Sequence, residues 1–567
     1  MVIQEKEKKN FLSESIESEE IFTPEDFTEE HQMIADLTEK FVVNKVMPAL
    51  VKIENQEFDE TVRLIKEAGE LGLIGADIPE QDGGLDLGKV SGAIIAEKMA
   101  LGRSFSITFG GQTGIGALPI AYFGSIEQKE KYLPDLLTGD KIGAYALTEP
   151  SAGTDAMGLR TTATLSADGG YYILNGEKQW ITNSAFADIF IVYAKVDSEK
   201  VTAFIVEKNY DGLSTGPEEK KMGLKGSSTR SLILEGVKVP VENVIGEIGR
   251  GHIIAFNVLN IGRFKIASTA LGTAKRSIEL ATKYANERKQ FNKSLSSFNL
   301  IKQKIADMTI QTFANESSVY RTAGALQIGF EEMIDNGAGY SKTIANYAVE
   351  CSMNKVMSSE ILDFVIDEAI QIHGGYGYMA EYEVETIYRD SRVNRIFEGT
   401  NEINRILIAS TLLKNYVEHK QSNPLENGPL LQEKKTLHLM KEYYHVAINA
   451  IQQAGVINMN EEQEIAAFIA NLAIGIYASE SAILRTEKAI KESGLELNAQ
   501  KLDCSKVFIH EISQKNAVAG LNLLNHLNDH EEFLHATGRL IASSKENIVE
   551  AKRRIAQRVI TAEGYVV

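Results

Sequence analysis

Two changes of hydrophobic period restrict this chain more than any single motif. Between about Lys141 and Val244 the apolar residues come in short alternating runs: TTATL, YYILNGEKQWITN, DIFIVYAKV, VTAFIVEK and SLILEGVKV. Period two is the pattern of strands that bury one face. Turn residues separate the runs, including ADGG at 167–170 and Asn175-Gly176, a dipeptide that favours a tight hairpin. On both sides the period is helical. The stretch from Pro24 to about Leu136 has Thr23-Pro24 as a start signal and Gly83-Gly84 as punctuation. After Gly251, residues Ile266, Ala270, Ala274, Ile278, Ala281 and Ala285 mark one small, apolar face suited to close helix packing. Helices, strands, then helices is the expected order, an α+β fold that is mainly α.

At 567 residues the chain exceeds what one hydrophobic core usually serves. The pattern divides it into a flexible leader at 1–24, an N-terminal helical domain at 25–140, an antiparallel β domain at 141–248 and a helical bundle at 249–418. A polar linker at 419–430, within EHKQSNPLENGP, precedes an additional C-terminal helical domain at 431–567. With 59 basic against 78 acidic residues the formal net charge is -19, the wrong field for a nucleic-acid binder. Cys351 and Cys504 stand far apart without a companion motif, which argues against a metal site or a disulfide framework. The opening MVIQEKEKKNFLSESIESEE has no apolar signal core, and its acidic run is foreign to transit peptides, so a cytoplasmic location is expected. The longest apolar stretch, AAFIANLAIGIYA at 466–478, falls short of the ~20 residues that cross a bilayer. Within the tail, Ile465, Phe468, Ile469 and Leu472 share a helical face. Packing on the body or across a dimer is one reading of that face, and peripheral contact with a membrane is the other.

Each candidate motif has an ordinary explanation when read alone. HGGYGY at 373–378 follows Ile361, Val365, Ala369 and Ile372 at helical spacing. Gly374 and Gly375 therefore read as a helix stop and not as a dinucleotide loop, which needs a preceding strand. YALTEPSAGTD at 145–155 has the composition of a turn. In WITNS at 180–184 the only tryptophan lies where alternation leaves a strand half buried, so a core role is the simple reading. RKQF at 288–291 reads as a solvated helix end, and Arg263 as a surface charge. Glu398, in RIFEGTNEI at 395–403, precedes a helical stretch and reads as an acid favoured by the helix dipole.

Taken in order, YALTEPSAGTD, NGEKQWITN, KMGLKGSST, NIGRF, NERKQF, QIHGGYGYM and RIFEGTNEI resemble the acyl-CoA dehydrogenase family over roughly residues 25–415. The stretch FNVLNIGRFKIASTALGT and the C-terminal extension look most like its very-long-chain branch. The resemblance implies a homodimeric FAD enzyme that converts an acyl-CoA to its trans-2-enoyl-CoA and passes electrons to electron-transferring flavoprotein. It implies that Tyr145, Leu147, Thr148, Thr154, Trp180 and Thr182 line the flavin, completed by Thr400, Asn401 and Glu402. Arg288, Gln290, Phe291, Gln371 and Gly375 match positions that reach the adenosine and pyrophosphate half of FAD bound mainly by a neighbouring subunit.

Glu398 matches the family's base, which removes the pro-R α-proton of the thioester while a β-hydride moves to the flavin. Desolvation beside Phe397 and an acyl chain is expected to raise its pKa toward ~6 to 7. The resemblance assigns polarisation of the thioester carbonyl to the Glu398 backbone N–H and a ribityl hydroxyl, with Gly399 allowing a tight bend there. Asn260 and Arg263 match positions near the reacting end and the CoA moiety, and Thr154 also counts among the substrate contacts. Gly110 and Gly111, in FGGQTGIG, match small residues of the acyl pocket. Some relatives carry the base on the long helix, just before the arginine matching Arg263; here that residue is Gly262. Two other readings share these motifs: an acyl-CoA oxidase, and a scaffold protein acting through the C-terminal extension.

Overall fold

Alternation in the strand block sorts its side chains into two cores. The computed structural model describes residues 9–336, 339–417, 427–456, 458–523, 526, 531–543 and 547–567. Its main sheet has eight strands: β1 (Gly143–Ala146), β2 (Thr162–Leu165), β3 (Tyr171–Thr182), β4 (Ile189–Val196), β5 (Lys200–Glu207), β6 (Leu213–Thr215), β7 (Thr229–Pro240) and β8 (Val244–Ile245). The order is β6-β7-β3-β2-β4-β5-β8, with β1 also paired to β4. Most pairs are antiparallel as expected, but β1 and β2 each run parallel to β4. Along β4, Ile189, Ile191 and Tyr193 join the core of the N-terminal helices, while Phe190, Val192 and Ala194 fill a core built from the β unit alone.

The ADGG turn joins β2 to β3, but Asn175-Gly176 makes no hairpin. It lies inside β3, where the ladder to β7 shifts register between Leu174 and Asn175. The glycine answers a close approach instead, since a Cβ there would sit 2.5 Å from Thr161 Oγ1.

Thr23-Pro24 opens only a short 3-10 turn at Pro24–Asp26; the first α-helix, Glu29–Phe41, starts at Thr28, whose side chain accepts from the His31 N–H. The flexible leader expected at 1–24 is packed over its described part. Phe11, Leu12 and Ile21 are buried, the Phe11 ring meets Tyr477 edge-on at 5.1 Å, and Lys441 Nζ donates to the Glu14 carbonyl at 3.1 Å. The apolar pair Phe11-Leu12 finds its partners in the tail, so nothing nearby in sequence announces the contact. Residues 1–8 lie outside the described residues.

Helices Gly251–Glu287, Asn299–Asn336, Ala348–His373 and Asn401–Lys414 form the bundle, and among the described residues five more follow between Leu431 and Ala562. The small face of Ala270, Ala274, Ile278, Ala281 and Ala285 shares one continuous core with tail residues such as Ile476, Val507 and Val559. The expected linker at 419–430, which lies outside the described residues up to 426, thus divides the sequence without dividing the interior. Buried charges bind the parts further: Arg485 Nη1 reaches Glu316 at 2.7 Å and its Nε reaches Glu25 at 2.9 Å, while Glu480 takes Arg321 at 2.7 Å and Lys441 at 2.6 Å. Ile465, Phe468, Ile469 and Leu472 lie inside this core, which corrects the membrane-contact reading of that face. Helix Gln463–Ser493 is long and apolar enough to cross a membrane by composition, but 83% of its most apolar window is buried within the protein.

Candidate active site

The loop that carries Glu398 is bent by two successive left-handed residues, Glu398 at φ 54° and Gly399 at φ 80°. Glycine takes this conformation without steric cost, whereas for glutamate it stores roughly 1–3 kcal/mol of strain that its surroundings must hold. They hold it by the carbonyls. Arg263 Nε donates to the Glu398 carbonyl at 3.0 Å, and Lys355 Nζ donates to the Gly399 carbonyl at 2.8 Å. Asn404 Nδ2 adds bonds to the carbonyls of Gly399 at 2.8 Å and Thr400 at 3.0 Å. Helix Asn401–Lys414 is capped by Thr400, whose Oγ1 accepts from the Ile403 N–H at 3.3 Å. The Glu398 carboxyl is therefore not the cap.

That carboxyl lies against Gly262, where an added Cβ would come within 3.2 Å of Glu398 Oε2. Oε2 is shielded from solvent and has no hydrogen-bond partner among the described residues. Burial pushes the pKa of Glu398 up to about 7, against the opposing charges of Arg263 and Lys355. The Glu398 N–H has no acceptor among the described residues. Arg263 and Asn260 are both buried, joined by a 2.8 Å bond from Nη1 to Oδ1, so Arg263 is not the surface charge that spacing suggested. Tyr145, on β1, is buried beside them, and its ring packs 5.2 Å from that of Tyr193. Phe397 and Thr400 are half-buried at the loop, and Glu402 is exposed. Asn401 is buried, and its side chain is committed to Lys355, Ser359 and Glu360, which leaves only its backbone for a ligand.

Trp180 departs from the core role read from alternation. The ladder between β3 and β7 shifts again between Lys178 and Ile181, and Trp180 itself has φ 60°. This second irregularity turns the indole out, 58% exposed, while Lys178, just ahead of it, keeps the inward parity of Tyr172 and Leu174. Lys178 Nζ meets Glu149 Oε1 at 2.7 Å and the Leu147 carbonyl at 3.2 Å. Glu149 also accepts from the N–H groups of Arg160 and Thr161. Burial alone would raise the Glu149 pKa, but Lys178 and these donors hold it below the usual carboxylate range. The pair clamps the turn after β1 onto β3, with the Gln179 N–H donating to the Thr148 carbonyl at 2.9 Å. Leu147 is buried, Thr148 half-buried and Thr154 exposed on that turn. Thr182 and Asn183 face Gly111, where a Cβ would lie 3.1 Å from Asn183 Nδ2, whereas one on Gly110 would meet open space. Gly110 lines a small pocket with Phe109, Met99, Ile95, Lys265 and Thr269.

The structure does not bring Arg288, Gln290, Phe291, Gln371 and Gly375 to this place. At 1.5 Å per residue the long helix carries Arg288 about 37 Å from Arg263. All five are exposed, Phe291 at 87%, and Arg288 stacks over the Tyr376 ring at 5.4 Å. Sequence reasoning missed Lys355, Asn404, Asn183 and the Glu149–Lys178 pair. Only the last gave a signal, a charge inside a run that otherwise alternates.

Four family descriptions match the chain. "Acyl-CoA dehydrogenase, N-terminal domain" matches residues 28–140, the middle domain matches 144–237, and two C-terminal domain descriptions match 249–413 and 435–534. A "Probable acyl-CoA dehydrogenase" of Bacillus subtilis (strain 168) is 49% identical over 98% of both chains. The "Very long-chain specific acyl-CoA dehydrogenase, mitochondrial" of Macaca fascicularis is 38% identical over 65% of this chain and 57% of its own length. Among solved structures, an acyl-CoA dehydrogenase complexed with FAD from Bacillus anthracis superposes with a TM-score of 0.93, at 49% identity, covering 98% of this chain and 99% of that one.

Proposed function

The chain belongs to the acyl-CoA dehydrogenase family, and from that premise we propose that it dehydrogenates long or very-long-chain acyl-CoA with Glu398 as the base. The enzyme is FAD-dependent. Bound FAD supplies the acceptor for the β-hydride. The described residues fit such a group: an exposed indole on a strained strand, half-buried hydroxyls at Thr148 and Thr182, and a glycine-lined approach at Gly111.

The observation that carries the reading is the enclosed, unpartnered Oε2 of Glu398, with its pKa raised to about 7. A carboxylate at its ordinary pKa is too weak a base for a carbon acid, and desolvation brings it near the operating pH. Oε2 takes the α-proton. The Glu398 N–H is free to donate to the thioester oxygen, where negative charge develops as the proton leaves. Arg263 and Lys355 hold the carbonyls of Glu398 and Gly399 by hydrogen bonds, which fixes the turn that presents this N–H.

Open space at Gly110 supports long chains, as do the very-long-chain relatives. The ~37 Å between the reaction centre and Arg288 supports a second copy of the chain as the source of the adenosine-side residues. Electron-transferring flavoprotein is the proposed acceptor. An anaerobic mix of purified enzyme and palmitoyl-CoA should abolish the oxidised flavin absorbance, and Glu398→Gln should keep FAD while nearly stopping that change. Full reduction in Glu398→Gln would remove the base from its role.

A further inference from the structure

We propose that Lys355 is a positioning residue for the dehydrogenation: its buried ammonium fastens the Gly399 carbonyl and the Asn401 side chain, fixing the turn from which Glu398 reaches the substrate. The proposal rests on the reading of Glu398 as the base.

Lys355 lies on helix Ala348–His373 and is wholly enclosed. Its Nζ donates at 2.8 Å to the Gly399 carbonyl and at 2.8 Å to Asn401 Oδ1. Among the described residues it makes no salt bridge. Other buried lysines do: Lys178 has Glu149 at 2.7 Å, and Lys89 has Asp77 at 3.4 Å. An ammonium taken out of water without a carboxylate in contact is costly, so this one needs an explanation beyond filling space.

Its bonds supply one. Asn401 opens the helix after the loop, and its Nδ2 is held by Ser359 Oγ at 3.0 Å and Glu360 Oε1 at 3.1 Å. Glu360 is itself fixed by Arg405 at 2.7 Å. Through Lys355 this network reaches the Gly399 carbonyl, one peptide beyond the carbonyl that Arg263 holds. The two cations thus grip successive peptides of the left-handed turn. Neutral donors could make the same bonds, but a charge also acts on the Glu398 carboxyl.

The charged and titratable groups facing Lys355 are Glu398, Arg263, Glu402 and Glu360. Those facing Glu398 are Arg263, Lys355 and Tyr145, and Arg263 also faces Cys351 and Tyr145. Burial brings the Lys355 pKa down to about 7, with Glu398 the leading influence that keeps the ammonium charged. A positive neighbour favours the ionised carboxyl, so removing it should make Glu398 hold its proton to higher pH.

The test uses FAD-loaded enzyme carrying Lys355→Met, Lys355→Gln, Lys355→Arg or Glu398→Gln. Flavin content, melting temperature and the pH profile of anaerobic reduction by palmitoyl-CoA are read for each. Lys355→Met and Lys355→Gln should keep the flavin, reduce it about a hundredfold more slowly, and move the acid limb of the profile to higher pH. Lys355→Arg should recover most of the rate and return the limb. If Lys355→Met does not fold, Lys355→Gln carries the comparison. A loss of flavin or melting temperature with the limb unmoved would mean a merely structural lysine and overturn the proposal. So would wild-type rate and limb in Lys355→Met beside an inactive Glu398→Gln, which leaves the base reading intact. An active Glu398→Gln overturns the base reading itself.

Discussion

Replacing Gly262 by alanine adds a single methyl group directly against the proposed base. The new Cβ would stand 3.2 Å from Glu398 Oε2 and 3.3 Å from its Cδ, inside the 3.4–4 Å of ordinary contact. The helix backbone is fixed on both sides, so the carboxyl has to retreat by a few tenths of an ångström. A displacement of 1 Å in a reacting group costs on the order of a hundredfold in rate, so a few tenths predict roughly a three- to tenfold slower reductive step. Stability should move the other way. Gly262 lies within helix Gly251–Glu287 at ordinary helical φ, where alanine is favoured over glycine by about 0.5–1 kcal/mol. Rapid-mixing measurement of anaerobic flavin reduction, paired with thermal unfolding of the same sample, separates the two effects. A wild-type reduction rate would show that the carboxyl does not rest against this helix during turnover. A slower rate accompanied by lower stability would point to a disturbed backbone and equally refute the reasoning.

The folded Glu398 keeps its proton up to about pH 7, where an unperturbed carboxyl releases it near 4.5, so its burial costs stability increasingly as pH rises through that window. Glu398→Gln should therefore melt above wild type at pH 8, by the equivalent of ~2 kcal/mol after allowance for the residue's partial exposure, with the advantage shrinking toward zero below pH 5. Equal melting at pH 8 would refute the raised pKa. Hybrid dimers of Arg288→Ala and Glu398→Gln chains should regain activity that neither variant shows alone, because each hybrid holds one intact site. Activity no better than the separate variants would refute a site shared between copies.

Much of the strand block was legible because one rule, alternation, governs it from Thr162 to Ile245. Where alternation failed, the cause was a register shift that depends on the partner strand: Trp180 turned outward, against the parity that Tyr172, Leu174 and Lys178 share. Glu398 was legible as a motif, and the expected rise of its pKa agrees with the burial found. Its supports were not. Lys355 occupies a helix position like many solvated lysines, and no local spacing separates a buried ammonium from an exposed one. Phe11-Leu12 failed for a similar reason, since its partners stand more than four hundred residues away in Tyr477 and His445.

That last contact has a bearing on how the protein is made. Phe11 leaves the ribosome long before Tyr477, and at about 5–20 residues per second the delay is roughly 25–90 s. Throughout that interval an apolar pair waits without its native cover, exposed to holdases and to other nascent chains. The step that completes the interior is therefore one of the last, and its rate should respond to the speed of synthesis as much as to the stability of the finished molecule.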